Sequence, residues 1–220
     1  MIKFIKNWFE IKPIKTKDKE ILSKTYNQKY GHYDYSKDSR SVDKTFLKIF
    51  DNSFSSENFE NVVICGANSG YEVDIIQKSK PQVKITAVDI SDISLQQLHQ
   101  HFPNVDFLHE NLESLNVIKS KQFDLYICLR AIHSTNVDIE KALKEAIRIT
   151  KNKIILSVSN GYIVDGKLVK GMYDYETKTI NSERSFVIRD EICALLNSLS
   201  WKTTTQESDA EIFIISEPNR

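Results

Sequence analysis

The sequence predicts an α/β fold: a doubly wound, seven-stranded, mostly parallel sheet with one antiparallel strand, behind an N-terminal helical cap. Three observations predict it. From residue 61 onward, short β-branched runs alternate with amphipathic stretches, the pattern of βαβ units around a parallel sheet. Two extended runs near the C-terminus, WKTTTQ (201–206) and EIFIIS (211–216), are separated only by a short turn, which makes them an antiparallel pair. The first 60 residues, by contrast, are polar and helical in pattern.

Taken in order, the cap holds candidate helices near 16–29 and 41–51, with the tyrosine-rich patch TYNQKYGHYDYSKDSR between them. Strands are expected at 61–65, 83–88, 105–108, 123–128 and 153–158, then at 201–206 and 211–216. Helices are expected near 70–79, 92–101, 137–150 and 188–199. The segment between strand 153–158 and the last helix is too long for a simple connection. It contains YIVDGKLV, where Asp165-Gly166 between apolar flanks signals a type I′ hairpin. Inserted there, a hairpin would stand at the carboxyl edge of the sheet, where doubly wound folds bind ligands.

The 220 residues suffice for one sizeable core and are short for two independent ones. The chain is therefore expected to be one domain over 1–220, with a cap at 1–52 and a core at 53–220 that includes an inserted hairpin near 160–180. Thirty basic residues balance thirty acidic ones, so general nucleic-acid binding is not expected. The three cysteines, Cys65, Cys128 and Cys193, form neither a disulfide framework nor a CxxC metal pair, and they suit a reducing cytoplasm. No apolar run is long enough to span a bilayer. The segment MIKFIKNWFEIKPIK lacks the apolar core of a secretory signal, and Ile5, Trp8 and Phe9 are expected to pack on the domain.

The chemistry starts at VVICGANSGYEV, where a buried strand ends at Cys65 and a helix begins near Gly70. Gly66 lets backbone approach a ligand closely, Asn68 tolerates a left-handed conformation, and Gly70 permits close strand–helix packing. In ITAVDIS, Asp89 ends the second strand 19 residues after Gly70 (89 − 70). A carboxylate there can accept from both hydroxyls of a ribose, or cap the next helix in competition with Ser91 and Asp92. A dinucleotide fingerprint starting at Gly66 would need glycines where Asn68 and Tyr71 stand, so the turn suits a ligand without a diphosphate. In VDFLHENLESL, the Asn111 amide can pair with an adenine edge, with Glu110 as its competitor.

These residues resemble the class I S-adenosylmethionine-dependent methyltransferases over roughly 40–216. CGANSG is similar to the glycine-rich first motif, Asp89 to the ribose-binding acid, ENLESL to the adenine loop and FDLYICLRAIHS to the fourth-strand motif. The resemblance implies S-adenosylmethionine as cofactor, held by Gly66, Ala67, Asn68, Gly70, Asp89, Ile90, Asn111, Leu112 and Leu129. It also implies that donor and acceptor meet after the fourth strand. Where the family places an acid two residues before the first glycine, this chain has Ile64; the middle glycine is Asn68 and the adenine-loop aspartate is Asn111. Another group must then hold the methionine ammonium, or affinity falls.

Methyl transfer from a sulfonium needs a base only if the acceptor must lose a proton. His133 could serve, or be structural. Arg130 could bind an acidic acceptor, or pair with a carboxylate on the next helix. Tyr26, Tyr30, Tyr162 and Tyr173 could form a lid over an aromatic or amphipathic acceptor, or simply pack. His99 and His101 lie two apart on a helix and make a poor metal pair, so no metal is expected. No NPPY-like run and no Pro-Cys pair follows the fourth strand, which disfavours base amino methylation and cytosine-type covalent catalysis. The expectation is a small-molecule O- or N-methyltransferase. A methyltransferase of RNA or protein, or a non-catalytic module of the same fold, are the other readings, and the oligomeric state stays open.

Overall fold

The carboxyl edge of a seven-stranded sheet is the feature around which the chain is arranged. A computed structural model describes residues 18–30, 44–68, 70–134, 136–164, 167–174 and 179–219, without the side chains of Lys29, Tyr30, Tyr162, Ile163, Val164 and Asp174. The expected contacts of Ile5, Trp8 and Phe9, and most of the tyrosine patch, lie outside the described residues. Among the described residues the order is α1 (Lys19–Tyr30), α2 (Lys44–Ser56), β1 (Asn61–Cys65), α3 (Tyr71–Ser79), β2 (Lys84–Asp89), α4 (Asp92–His101), β3 (Asp106–His109) and β4 (Phe123–Leu129). There follow α5 (Ile139–Ile149), β5 (Thr150–Ser159), β6 (Gly161–Val164), β7 (Lys167–Lys170), β8 (Met172–Asp174), β9 (Thr179–Asn181), α6 (Arg184–Ser198), β10 (Trp201–Glu207) and β11 (Glu211–Pro218).

The main sheet runs β10-β11-β5-β4-β1-β2-β3. β1 pairs in parallel with β2 and β4, and β4 in parallel with β5. β11 is antiparallel to both β5 and β10, so it is the one reversed strand. β1 and β4 read as continuous apolar runs because both of their faces are covered. On one face α2 presents Phe46, Ile49 and Phe50, and α3 presents Val73 and Ile76, to Ile64, Ile127 and Phe213. On the other, α5 presents Ala142, Leu143, Ala146 and Ile149, at helical spacing, to Tyr126, Ile154 and Leu156.

Helix starts follow local chemistry. Ser91 caps α4 by accepting from the Ser94 N–H, and Asp138 caps α5 by accepting from the Lys141 N–H. The hairpin expected at YIVDGKLV is β6–β7, with Val164 opposite Lys167 across a two-residue loop. A second small hairpin, β8–β9, was not expected from the sequence; its strands have three residues each, too short for alternation to show. α6 begins at Arg184 rather than near 188, because Arg184–Val187 continue the helix N-terminally of the apolar pattern.

Candidate active site

The turn after β1 is held in a conformation that its composition permits. Gly66, Asn68 and Gly70 have φ of 70°, 38° and 76°, the left-handed region open to glycine and tolerated by asparagine. The Gly66 and Ala67 N–H groups donate to the Val88 carbonyl, and the Gly70 N–H donates back to the Ala67 carbonyl. A Cβ on Gly66 would lie 2.4 Å from the Ala131 Cβ, in the loop after β4. Gly70 faces helix rather than strand: a Cβ there would meet Leu98 and Phe102 at 2.5 and 2.7 Å. The close packing expected at Gly70 is therefore with α4.

Asp89, 5% exposed, ends β2 with its carboxylate beside this turn. It accepts from the Asn68 N–H at 2.9 Å and from the Ser91 N–H at 2.8 Å. Burial raises its pKa, while the Ser91, Asn68 and Ile90 N–H groups pull it back toward the ordinary value. Since Ser91 caps α4, Asp89 is not needed for that job. Two carboxylate oxygens offer about four lone-pair sites, which leaves room for hydroxyl donors. Ile90 follows, half-buried, with its carbonyl 2.8 Å from His109 Nε2 at the end of β3. His109 carries no motif signal, which is why it was not singled out from sequence.

In the loop after β3, Asn111 Oδ1 accepts from the Glu113 N–H, and the Asn111 carbonyl accepts from the Ser114 N–H. Glu110, the alternative to Asn111, pairs with Lys19 at 3.3 Å. Leu112 is buried, and Leu129, at the end of β4, is half-buried. Residues 66–68, 70, 89–90, 111–112 and 129 thus line one edge formed by β3, β2, β1 and β4.

Helix α1 lies across this edge. Asn27 Oδ1 accepts from Ser91 Oγ at 2.8 Å, and Asn27 Nδ2 and Ser23 Oγ donate to Asp92. Those bonds hold the Asp92 carboxyl below its usual range, the Asn27 bond foremost. Tyr26, from the same helix, shares a hydrogen bond with Ser134 Oγ beyond β4, and burial pushes its phenol pKa up. Asn27 belongs to no sequence motif, and Ser134 only closes FDLYICLRAIHS; the bonds each makes depend on where α1 docks.

His133 is half-buried in the loop after β4, its Nε2 3.3 Å from Ser159 Oγ at the end of β5. It borders a cleft of about 520 Å³ with Ser134, Val137 and Ile139 on one side and Asn181, Arg184, Val187 and Ile188 on the other. Tyr173, half-buried on β8, is not among the residues bordering that cleft, which His133 shares with residues of α6. Arg130 pairs with a carboxylate, as one of its two readings expected, but not with one on the next helix. Its Nε meets Glu211 Oε1 at 2.7 Å, on β11 rather than on the next helix. Glu211 also accepts from Ser157 Oγ, and the Arg130 N–H donates to Ser157. The sequence separation of 81 residues (211 − 130) hid this pair. Among the described residues no group of three His, Cys, Asp or Glu side chains could hold a metal.

Strand order, reversed strand, glycine turn and strand-terminal acid together define one class of protein, and comparison with known proteins agrees. Residues 62–153 match the family described as "Methyltransferase domain". The fold is similar to that of an S-adenosylmethionine-dependent methyltransferase from Aquifex aeolicus, at 16% identity and a TM-score of 0.57, over 84% of this chain and 98% of that one. It is also similar to the Burkholderia thailandensis 1,6-didemethyltoxoflavin-N1-methyltransferase, solved with 1,6-didemethyltoxoflavin and S-adenosylhomocysteine bound (15% identity, TM-score 0.64, 91% and 88% covered). A third is the N-methyltransferase NodS from Bradyrhizobium japonicum WM9 in complex with S-adenosylhomocysteine (10%, 0.61, 90% and 98%). No curated protein matches the chain by sequence. Residues 62–153 thus match a methyltransferase domain, and the chain has the fold of the S-adenosylmethionine-dependent methyltransferases.

Proposed function

We propose that the chain is an S-adenosylmethionine-dependent methyltransferase acting on a small-molecule acceptor at oxygen or nitrogen. The observation that carries this reading is the pairing of two spaces across the loop after β4. One is the edge at Gly66 and Asp89, where the absence of a Cβ and a buried carboxylate suit an adenosyl ligand. The other is the cleft beside His133, of the size that accepts a small molecule. Neighbouring folds solved with S-adenosylhomocysteine, one of them also with a small acceptor, support it.

The bound cofactor supplies an activated methyl group, so the chain has mainly to orient two reactants and exclude water. Asp89 would receive the ribose hydroxyls, Ile90, Leu112 and Asn111 would hold the adenine, and Gly66 and Ala67 would let the ligand approach the backbone of the turn. Helix α1, tied to Ser91, Asp92 and Ser134, shields the edge from solvent. His133, steadied by Ser159, accepts a proton when the acceptor has one to lose. Arg130, committed to Glu211, shapes the loop that carries His133 rather than touching the acceptor. No helix among the described residues is long and apolar enough to cross a membrane. Three free thiols suit a reducing cytoplasm.

Calorimetric titration tests the reading: S-adenosylhomocysteine should bind and NAD should not, and the reverse result would overturn it. With an acceptor identified from a small-molecule screen, His133→Ala should lower turnover about 10²- to 10⁴-fold with cofactor affinity unchanged. An unchanged turnover would assign His133 to structure alone.

A further inference from the structure

The wall that α6 gives to the cleft beside His133 has a chemistry of its own. Glu183, Arg184, Val187, Ile188 and Glu191 border the cleft at the spacing i, i+1, i+4, i+5, i+8, so one stripe of the helix faces it. Ser185, Ile192 and Leu196 are the buried residues of α6, so docking the helix does not use this stripe. Val187, at its middle, is 63% exposed, an apolar side chain open to solvent. Val137 and Ile139 add aliphatic surface from the facing wall. His133, with Ser159 behind it, stands on that facing wall too, half-buried.

Carboxylates flank the aliphatic part of the stripe at both ends. Glu183 and Glu191 are exposed, and neither side chain makes an ion pair or a hydrogen bond among the described residues. Arg184, the one cation of the stripe, is itself engaged. Two carboxylates against one guanidinium leave an excess of one negative charge on this wall. A cleft with apolar walls and charge of one sign at its rim draws in ligands of the opposite charge and turns away those of the same sign. An anionic acceptor is therefore disfavoured here, and a neutral alcohol gains nothing from the charge. A cation with an aliphatic body matches both parts of the wall.

We infer that the methyl acceptor is an aliphatic amine, drawn in as its ammonium form by Glu183 and Glu191 and methylated at nitrogen. The inference rests on the functional reading above. The carboxylates stand in solvent at the rim, and the aliphatic side chains strip water from the amine further in. There the ammonium gives one proton to the His133 imidazole. The freed nitrogen lone pair attacks the methyl carbon, and the carbon–sulfur bond breaks with its electron pair going to sulfur. The products are the N-methylated ammonium and S-adenosylhomocysteine. To test this, the chain is saturated with S-adenosylmethionine and offered n-hexylamine, 1-hexanol or hexanoate, which share an aliphatic body and differ in charge. Mass spectrometry reads the methylated product. n-Hexylamine should be methylated and the other two should not. Transfer to 1-hexanol or hexanoate instead would overturn the assignment. So would no transfer to n-hexylamine by a chain that binds S-adenosylhomocysteine in calorimetry. A chain that does not bind S-adenosylhomocysteine would overturn the functional reading itself. The double variant Glu183→Gln/Glu191→Gln should raise the KM for n-hexylamine about 5- to 20-fold with kcat held, and added salt should erode the difference. Glu140→Gln, at an exposed carboxylate of α5 that does not border the cleft, should change neither constant. An unchanged KM in the double variant, or an equal rise in Glu140→Gln, would remove the two carboxylates from acceptor recognition and overturn the inference. If the double variant does not fold, Glu191→Gln alone replaces it, with a smaller rise in KM expected.

Discussion

Asp89 shows how one side chain joins fold and function. In the proposed site its carboxylate accepts hydroxyl donors best when ionised, yet burial favours the protonated form. A carboxyl whose folded pKa is raised costs stability above that pKa, and the cost disappears below the unfolded value. For the cofactor the sign is opposite. If the ionised form accepts the ribose hydroxyls as proposed, affinity for S-adenosylhomocysteine should fall as the pH drops through the raised pKa. Asp89→Asn should lose that dependence, which calorimetry across acidic pH checks. Asp89→Ala should weaken binding by about 2–4 kcal/mol, roughly 30- to 1000-fold. A folded Asp89→Ala chain with unchanged affinity would remove Asp89 from the site.

Gly66 obeys two independent demands. Its φ of 70° strains any other residue, and an added methyl would press on the Ala131 Cβ. Gly66→Ala should therefore cost about 1–3 kcal/mol and weaken cofactor binding. In the double variant with Ala131→Gly, the packing part should return and the backbone part should not, a difference readable in thermal melts. Full recovery would show that the backbone conformation carries no cost.

At the scale of elements, the clamp Arg130–Glu211–Ser157 ties the ends of β4, β5 and β11 together. The Arg130 side chain is 38% exposed and that of Glu211 10%, so the pair is partly screened, and breaking it leaves a guanidinium near the sheet edge without its carboxylate. Glu211→Ala should cost about 1–3 kcal/mol in denaturant unfolding, below the figure for a fully buried pair. Because the loop carrying His133 leaves β4 at Arg130, turnover should fall while cofactor affinity holds. Loss of affinity instead would mean that the clamp supports the glycine turn. The elements themselves were largely legible in advance. The seven sheet strands matched within three residues at each end, because apolar runs bounded by polar turns are local signals. β8 and β9 were not legible, since three-residue strands carry no period.

At the scale of the molecule, β11 matters beyond its length. It lies between β5 and β10, and Ile212, Phe213 and Ile214 are fully buried between the helical layers. Removing residues 211–220 would forfeit about 5–9 kcal/mol from those three side chains, comparable to the stability of a whole domain, and bare the edge of β5. The shortened chain should be insoluble or lack a cooperative melt. A soluble, cooperatively melting product would show that β10 and β11 are an accessory hairpin.

The sequence by itself determined the sheet, its reversed strand and the glycine turn with its strand-terminal acid. These rest on hydrophobic period, on the φ that glycine and asparagine tolerate, and on a fixed spacing along the chain. Only the tertiary structure decided that Arg130 faces Glu211, that Asn27 and Tyr26 reach over the edge to Ser91 and Ser134, and that the cleft beside His133 is bordered by α6. Each of these joins residues far apart in sequence, and a side chain's partner across such a distance is set by packing and has no local signature.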